Sequence, residues 1–243
     1  MKLNSRQIVA VIAVVVVIAA AAIYWLVARQ NSVPLDSAAL AQSSTTSSTA
    51  SGAAPAADAT AGGGTSEVSA LMQPGPLGDM ALGDPKAPNV VIEYASMTCT
   101  HCDRFHNEVY PAFKAKYIDT GKVYFIFRDF PLDPLARAAI IIAHCAPKER
   151  FFPLVDLMFD KQDQWAFVDD PKTALLNLVK QAGFTEDSFN ACLTNQPLLD
   201  GVNWVQDRAQ KLFGVNSTPT FFINGKKVAG EQKLEDITAA LKL

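Results

Sequence analysis

What is scarce in this chain narrows it first. Lysine and arginine number 21 against 24 aspartates and glutamates, a net charge of −3, so no basic surplus is available to grip nucleic acid. Cysteine occurs four times in 243 residues and never before Cys99. No early thiol is therefore expected to carry a lipid. Only one pair of cysteines is close in sequence, where a structural zinc site commonly draws on two. Charge is absent altogether from Ile8 to Ala28, IVAVIAVVVVIAAAAIYWLVA. Large apolar side chains are in turn sparse across residues 29–76, which are rich in Ser, Ala, Thr and Gly.

The uncharged run at 8–28 is long enough to cross a bilayer core as one helix, with Tyr24 and Trp25 placed for the far interface. Lys2 and Arg6 precede it, so residues 1–7 are expected to stay cytoplasmic and the bulk of the chain to lie outside. A cleaved signal peptide is the alternative. The run exceeds the usual apolar core of such peptides, which favours an uncleaved signal-anchor. Residues 29–76 cannot bury enough surface to fold and read as a disordered linker, whose flexible reach would be about 40 Å. A mere spacer and a functional tether fit this composition equally well. Outside the cytosol disulfides persist, so paired thiols there need not be metal ligands.

Composition turns globular from Leu77. Asn89–Ala95 reads as a buried strand, Cys99 to about Ile118 as a helix, and Val123–Phe127 as a second strand, a β-α-β unit. Helical patterns fill about 133–213. Asp133-Pro134 and Asp170-Pro171 each supply an N-cap and first-turn pair, and Gly183 a stop. Arg150–Asp160 is helical with Pro153 in its first turn or at a kink, and a further helix runs from Leu198 to Phe213. Thr220–Asn224 and Lys226–Ala229 flank Asn224-Gly225, a strong hairpin signal, and an amphipathic helix near Lys233–Leu241 closes the chain.

Cys99-Thr100-His101-Cys102 falls where the first strand gives way to the first helix. A helix N-terminus offers unpaired N–H groups and partial positive charge, both of which favour a thiolate, the attacking species in disulfide exchange. Together with Thr218-Pro219 before the hairpin, this order resembles a thioredoxin-like α/β fold with an inserted helical domain. More closely, GDPKAPNVVIEYASMTCTHC and STPTFFINGKKVAG resemble the DsbA-like thiol-disulfide oxidoreductases of the bacterial cell envelope, over residues 77–243.

The resemblance implies roles residue by residue. Cys99 becomes the exposed nucleophile, Cys102 the buried resolving thiol, and Pro219 a cis-proline packed opposite them. Thr218, just before it, would offer its main chain to substrate as an added strand. The family pattern also implies reduced exported proteins as substrates and a DsbB-like membrane redox partner. The catalytic domain would then sit outside the inner membrane and need no cofactor; dimeric isomerases generally carry a separate dimerisation domain, which the linker at 29–76 does not offer, so a monomer is expected.

His101 is placed to stabilise the Cys99 thiolate electrostatically; its alternative is a solvated helix-start residue. Each unit of pKa depression below ambient pH stabilises the reduced form by ~1.4 kcal/mol, or ~30 mV for a two-electron couple. Glu93 is a candidate acceptor for the Cys102 proton, against the alternative of a satisfied strand carboxylate. His106 is expected on the helix surface. Phe105 and Met97 either offer soft substrate contacts or fill the core. Cys145 and Cys192, far apart and outside any CxxC, read as a structural disulfide rather than a second redox pair.

Two departures bear on direction. Thr100 stands where oxidases of this family often carry proline, and threonine before the cis-proline also occurs in isomerase-type relatives. A thiol oxidase is therefore expected, with an isomerase or reductase as the alternative on the same scaffold. A different class of function, copper or zinc binding through Cys99, Cys102 and His106, is the outlying alternative.

Overall fold

Every second residue of Asn89–Ala95 faces the same side of a sheet, and both sides of this strand are buried. A computed structural model of the chain describes residues 63–243 and makes this strand, β2, the centre of five. The others are β1 (Met80–Leu82), β3 (Val123–Asp129), β4 (Thr220–Ile223) and β5 (Lys226–Ala229), in the order β1-β3-β2-β4-β5. β3 runs parallel to β2, from Asn89 opposite Val123 to Ala95 opposite Asp129, and β4 pairs antiparallel on the other side, with Tyr94 opposite Thr220. A short antiparallel strand guards each edge.

Two helical layers cover the sheet. On one face Val91, Phe125, Phe127 and Phe221 meet the helix that follows β2 and the inserted helices. On the other, Ile92, Tyr94, Ile126 and Phe222 meet α1 (Gly63–Met72) and the long helix that precedes β4. The helical run at 100–118, α2, alternates α-helical Thr100–Arg104 and Tyr110–Phe113 with π-helical Phe105–Val109 and Lys114–Ile118. The insertion comprises α3 (Pro134–Cys145), α4 (Phe151–Asp160), α5 (Gln162–Trp165), α6 (Pro171–Lys180), α7 (Glu186–Leu193) and α8 (Gln196–Phe213), and α9 (Leu234–Ala240) ends the chain.

The caps explain these boundaries. Asp133 and Asp170 each accept from a backbone N–H three residues on, and Asn195 does the same for α8. Pro153 lies in the first turn of α4, where no intrahelical N–H bond is lost. Asn224 and Gly225 hold φ of 52° and 85°, the positive pair that a two-residue hairpin turn requires.

Three differences from the sequence reading stand out. Residues 63–72, assigned to the linker by composition, form α1. Its Leu71 is buried against the sheet, and its last carbonyls are held by arginines, Leu71 O by Arg128 and Ala70 O by Arg208. The edge strand β1 was not expected, because three residues are too few for a periodic signal. The second strand continues past Phe127 to Asp129. The apolar run at 8–28 lies outside the described residues; among the described residues no helix is long and apolar enough to cross a membrane.

Cys145 and Cys192 are bonded, joining the end of α3 to α7, with their Cα atoms 6.0 Å apart. The bridge closes a loop of 47 residues, which in the chain-entropy model stabilises the fold by about 4 kcal/mol. The double variant Cys145→Ser/Cys192→Ser is expected to lose about that much unfolding free energy, read as a shift in denaturant midpoint. A loss well under 1 kcal/mol would remove the structural role.

Candidate active site

The end of β2 delivers the chain to the dithiol through a tightly tied turn. Ser96 Oγ accepts from Leu132 N, Thr98 Oγ1 donates to Asp133 Oδ2, and the Cys99 amide bonds Ser96 O. Asp133 therefore serves twice, as the N-cap of α3 and as an anchor for the turn. From the insertion, Gln162 reaches in to donate to Met97 O at 2.9 Å and to Cys99 O at 3.3 Å. Sequence reading missed Gln162, since nothing in a lone glutamine within a helical stretch marks it.

Cys99 occupies the N-cap of α2, with its Sγ accepting from the Cys102 amide at 3.4 Å. Both cysteines are unbonded to other sulfurs and buried, so Cys99, at 7% exposure against 0% for Cys102, is not the exposed residue that the resemblance implied: the cis-proline loop covers its sulfur. The peptide bond between Thr218 and Pro219 is cis, and Thr218 O lies 3.3 Å from Cys99 Sγ, where it accepts the S–H of the neutral thiol. The Thr218 hydroxyl is buried without a partner of its own. Dithiol, cis-proline loop and strand end thus meet as the sequence order implied.

The two sulfurs are electrostatically unlike. Cys99 is brought down from an ordinary value of 9.0 to about 6. The Cys102 S–H contributes most to this as a donor to the thiolate, and burial opposes it; Thr218 and the amides of Cys102 and His101 add to the lowering. Burial pushes Cys102 well above 9.0, and the neighbouring Cys99 and Glu93 push it the same way. The first thiol is therefore ionised near neutral pH while the second keeps its proton.

Histidine roles differ from the sequence reading. The imidazole of His101 is exposed and turned to Glu231 Oε2 at 3.0 Å, with Arg104 against both. It is the backbone N–H of His101, not its ring, that serves the thiolate. His106 is not a surface residue. It lies four residues after buried Cys102, on the same stripe of the helix, and its Nε2 meets Glu93 Oε2 at 3.0 Å with both side chains buried. Alternation along β2 puts Glu93 on the face with Val91, beneath α2, where its charge bears on Cys102. The spacing from Cys102 was the signal for His106. Among the described residues no three His, Cys, Asp or Glu side chains converge to hold a metal ion. The proposed grouping of His106 with Cys99 and Cys102 is not formed. Met97 and Phe105 are core residues, at 1% and 0% exposure.

Comparison with known proteins agrees with this geometry. The family profile described as thioredoxin matches residues 77–243. A Rickettsia conorii protein named as a protein-disulfide oxidoreductase is 32% identical over 168 residues, covering 67% of this chain. The chain spans 59% of that relative's length. The crystal structure of alpha-DsbA1 from Wolbachia pipientis is 36% identical, covers 70% of this chain and 91% of its own, and superposes with a TM-score of 0.63. A structure titled protein-disulfide isomerase from Novosphingobium aromaticivorans is 25% identical with a TM-score of 0.60, covering 65% of this chain and 93% of its own.

The depressed Cys99 value fixes a pH signature. Alkylation of the reduced protein is expected to rise with a midpoint near pH 6, not 9.0. A lowered folded value stabilises the reduced fold above the ordinary thiol value, and that contribution is lost as pH falls from 9.0 through about 6. The stability of the reduced protein relative to the disulfide form should therefore fall over this window and level off below it. A midpoint above pH 8 would contradict the donor set described.

Proposed function

We propose that this chain, which belongs to the thioredoxin family and to its DsbA-like disulfide oxidoreductases, introduces disulfides into other proteins through Cys99 and Cys102. The observation that carries this reading is the unequal state of the two sulfurs. A substrate thiolate attacks Cys99 of the Cys99–Cys102 disulfide, and the bond's electron pair leaves on Cys102. The substrate's second thiolate then attacks its own sulfur in the mixed disulfide and releases Cys99. Donors that hold the leaving Cys99 thiolate stabilise the reduced enzyme, which makes the disulfide more oxidising.

Burial keeps Cys102 out of reach, so substrate meets Cys99 first. Pro219 and Thr218 form the wall opposite, where an extended substrate backbone would lie. Reduced exported proteins are the proposed substrates, and a DsbB-like membrane protein the proposed partner for reoxidation. The uncharged run at 8–28 supports a single-pass anchor in a bacterial inner membrane, with the dithiol on the extracytoplasmic side. The isomerase alternative draws support from Thr218, since threonine before the cis-proline also occurs in isomerase-type relatives.

Equilibration with glutathione tests the direction. A Cys99 value about one unit below thioredoxin's ~7 predicts, from this difference, a potential up to ~30 mV above thioredoxin's ~−270 mV. A value at or below thioredoxin's overturns the oxidase reading. Cys102→Ser should accumulate a mixed disulfide with a reduced substrate protein, and Cys99→Ser should not.

A further inference from the structure

Beneath the dithiol lies a polar cluster that disulfide exchange between Cys99 and substrate does not itself need. Glu93 and His106 are paired at 3.0 Å, with side-chain exposures of 0% and 1%. Buried polar atoms are nearly always satisfied, yet Glu93 Oε1, His106 Nδ1 and Tyr110 Oη have no partner. Three such atoms in one cluster are costly for a purely structural contact. The imidazole plane is fixed by Phe159, stacked at 4.3 Å between centroids, and by the edge of Phe127 at 5.9 Å. That plane aims Nε2 at the carboxylate and Nδ1 the other way.

The outward nitrogen meets a route to solvent. Asp156 Oδ1 is 4.0 Å from Nδ1, too far for a direct hydrogen bond and suited to one through a water. The Asp156 side chain is 52% exposed. A cavity of about 390 Å³ lined by His106, Tyr110, Lys114, Asp156 and Asp160 opens at this edge, room for several waters. The titratable groups facing His106 are Glu93 from β2, Asp156 and Asp160 from α4, and Asp103, Tyr110 and Lys114 from its own helix. Most are acidic, an environment that draws protons toward the cavity mouth.

We propose that His106 is a proton relay that connects buried Glu93, through Asp156 and the adjoining cavity, to solvent each time the bond to Cys102 breaks or forms. The proposal rests on the oxidoreductase reading and adds the path its proton takes. When substrate thiolate attacks Cys99, the Cys99–Cys102 bond breaks and Cys102 leaves as a thiolate. Burial disfavours that charge, so a proton passes to Cys102 through the Glu93 carboxylate, which takes it from His106 Nε2. His106 Nδ1 takes a replacement from cavity water held by Asp156, and Glu93 ends the step as the carboxylate it began as. Reoxidation runs the same path outward: Cys102 gives its proton to Glu93 as its thiolate attacks the mixed disulfide on Cys99. Two electrons move from substrate to the enzyme's sulfurs and the ring stores nothing. His106 acts through Glu93 and so is a positioning residue for protons rather than a catalytic one.

The test is rapid-mixing oxidation of a dithiol peptide by the full-length disulfide form, from acid to alkaline pH. If the wild type transfers no disulfide, the oxidoreductase reading fails, whatever His106 does. Given transfer, His106→Gln keeps an N–H for Glu93 but cannot pass a proton. It is expected to slow the step at Cys102 by roughly 10- to 100-fold while leaving alkylation of Cys99 at its wild-type rate. Added imidazole should restore the rate through the cavity, and Asp156→Asn should show a smaller loss with an enlarged solvent deuterium isotope effect. A His106→Gln rate within about twofold of wild type overturns the relay. So does a slow rate that imidazole does not lift and whose pH profile parallels wild type. Should His106→Gln fail to fold, half-exposed Asp156→Asn decides, and an unchanged rate and isotope effect there overturn the proposal.

Discussion

One turn of helix holds two sulfurs in opposite electrostatic conditions, and much of the surrounding structure keeps that difference in place. Cys99 sits at the N-cap, where amides and the Cys102 S–H converge on its sulfur. Cys102 lies one turn further in, on the face that packs toward the sheet, and is fully buried. Three residues of separation turn the sulfur from the helix mouth into the core. Any shift of β2, of the turn at 96–98 or of the cis-proline loop would move Cys99 away from its donors. The hydrogen bonds at those places run between distant parts of the chain, from Ser96 to Leu132, Thr98 to Asp133 and Cys99 to Thr218. They form only when the fold is complete, so the fold holds in place the one-turn donor set that lowers Cys99.

The central strand does two jobs because its faces alternate. Ile92 and Tyr94 build the second core with α1 and α8, while Val91 and Ala95 pack beneath α2 and the insertion. A carboxylate at the intervening position on that second set of sites must be buried, and Glu93 is. A buried charge is tolerated only with a partner. The helix supplies one by the same periodicity that buries Cys102, since His106 follows it by four residues and Tyr110 follows by four more. Strand parity and helix stripe together bring the carboxylate and imidazole within 3.0 Å.

Legibility in the sequence followed the reach of each signal. Local chemistry was readable: Asp133, Asp170 and the Asn224-Gly225 pair mark helix starts and a hairpin through contacts a few residues long. The dithiol was readable because its spacing and its place after a strand carry the reaction. Contacts made at long range were not. Gln162 bonds Cys99 O across 63 residues, and Arg128 holds Leu71 O across 57. A Gly- and Ser-rich prelude gives no hint that residues 63–72 will dock as a helix, since the groups that hold it lie on β3 and α8. His106 falls between these cases. Its burial followed from its four-residue distance to Cys102, but histidine is so often exposed that the spacing alone carried less weight than it should have.

The insertion touches the dithiol at one end and is cross-linked at another. Asp133 caps α3 where it meets Thr98, and Cys145 ends the same helix, 12 residues and about 18 Å away at 1.5 Å per residue. At that distance the disulfide cannot tune the charge on Cys99. Its effect is topological: the loop it closes, from Cys145 to Cys192, contains α4, α5 and α6, and therefore Gln162, Phe159 and Asp156. Those residues hold the Cys99 carbonyl, stack the His106 ring and face its outer nitrogen. The cross-link thus restrains the segment that positions both the reactive turn and the polar cluster below it. Under the proposed reading, a chain that forms disulfides in others depends on one of its own for the geometry behind its candidate active site.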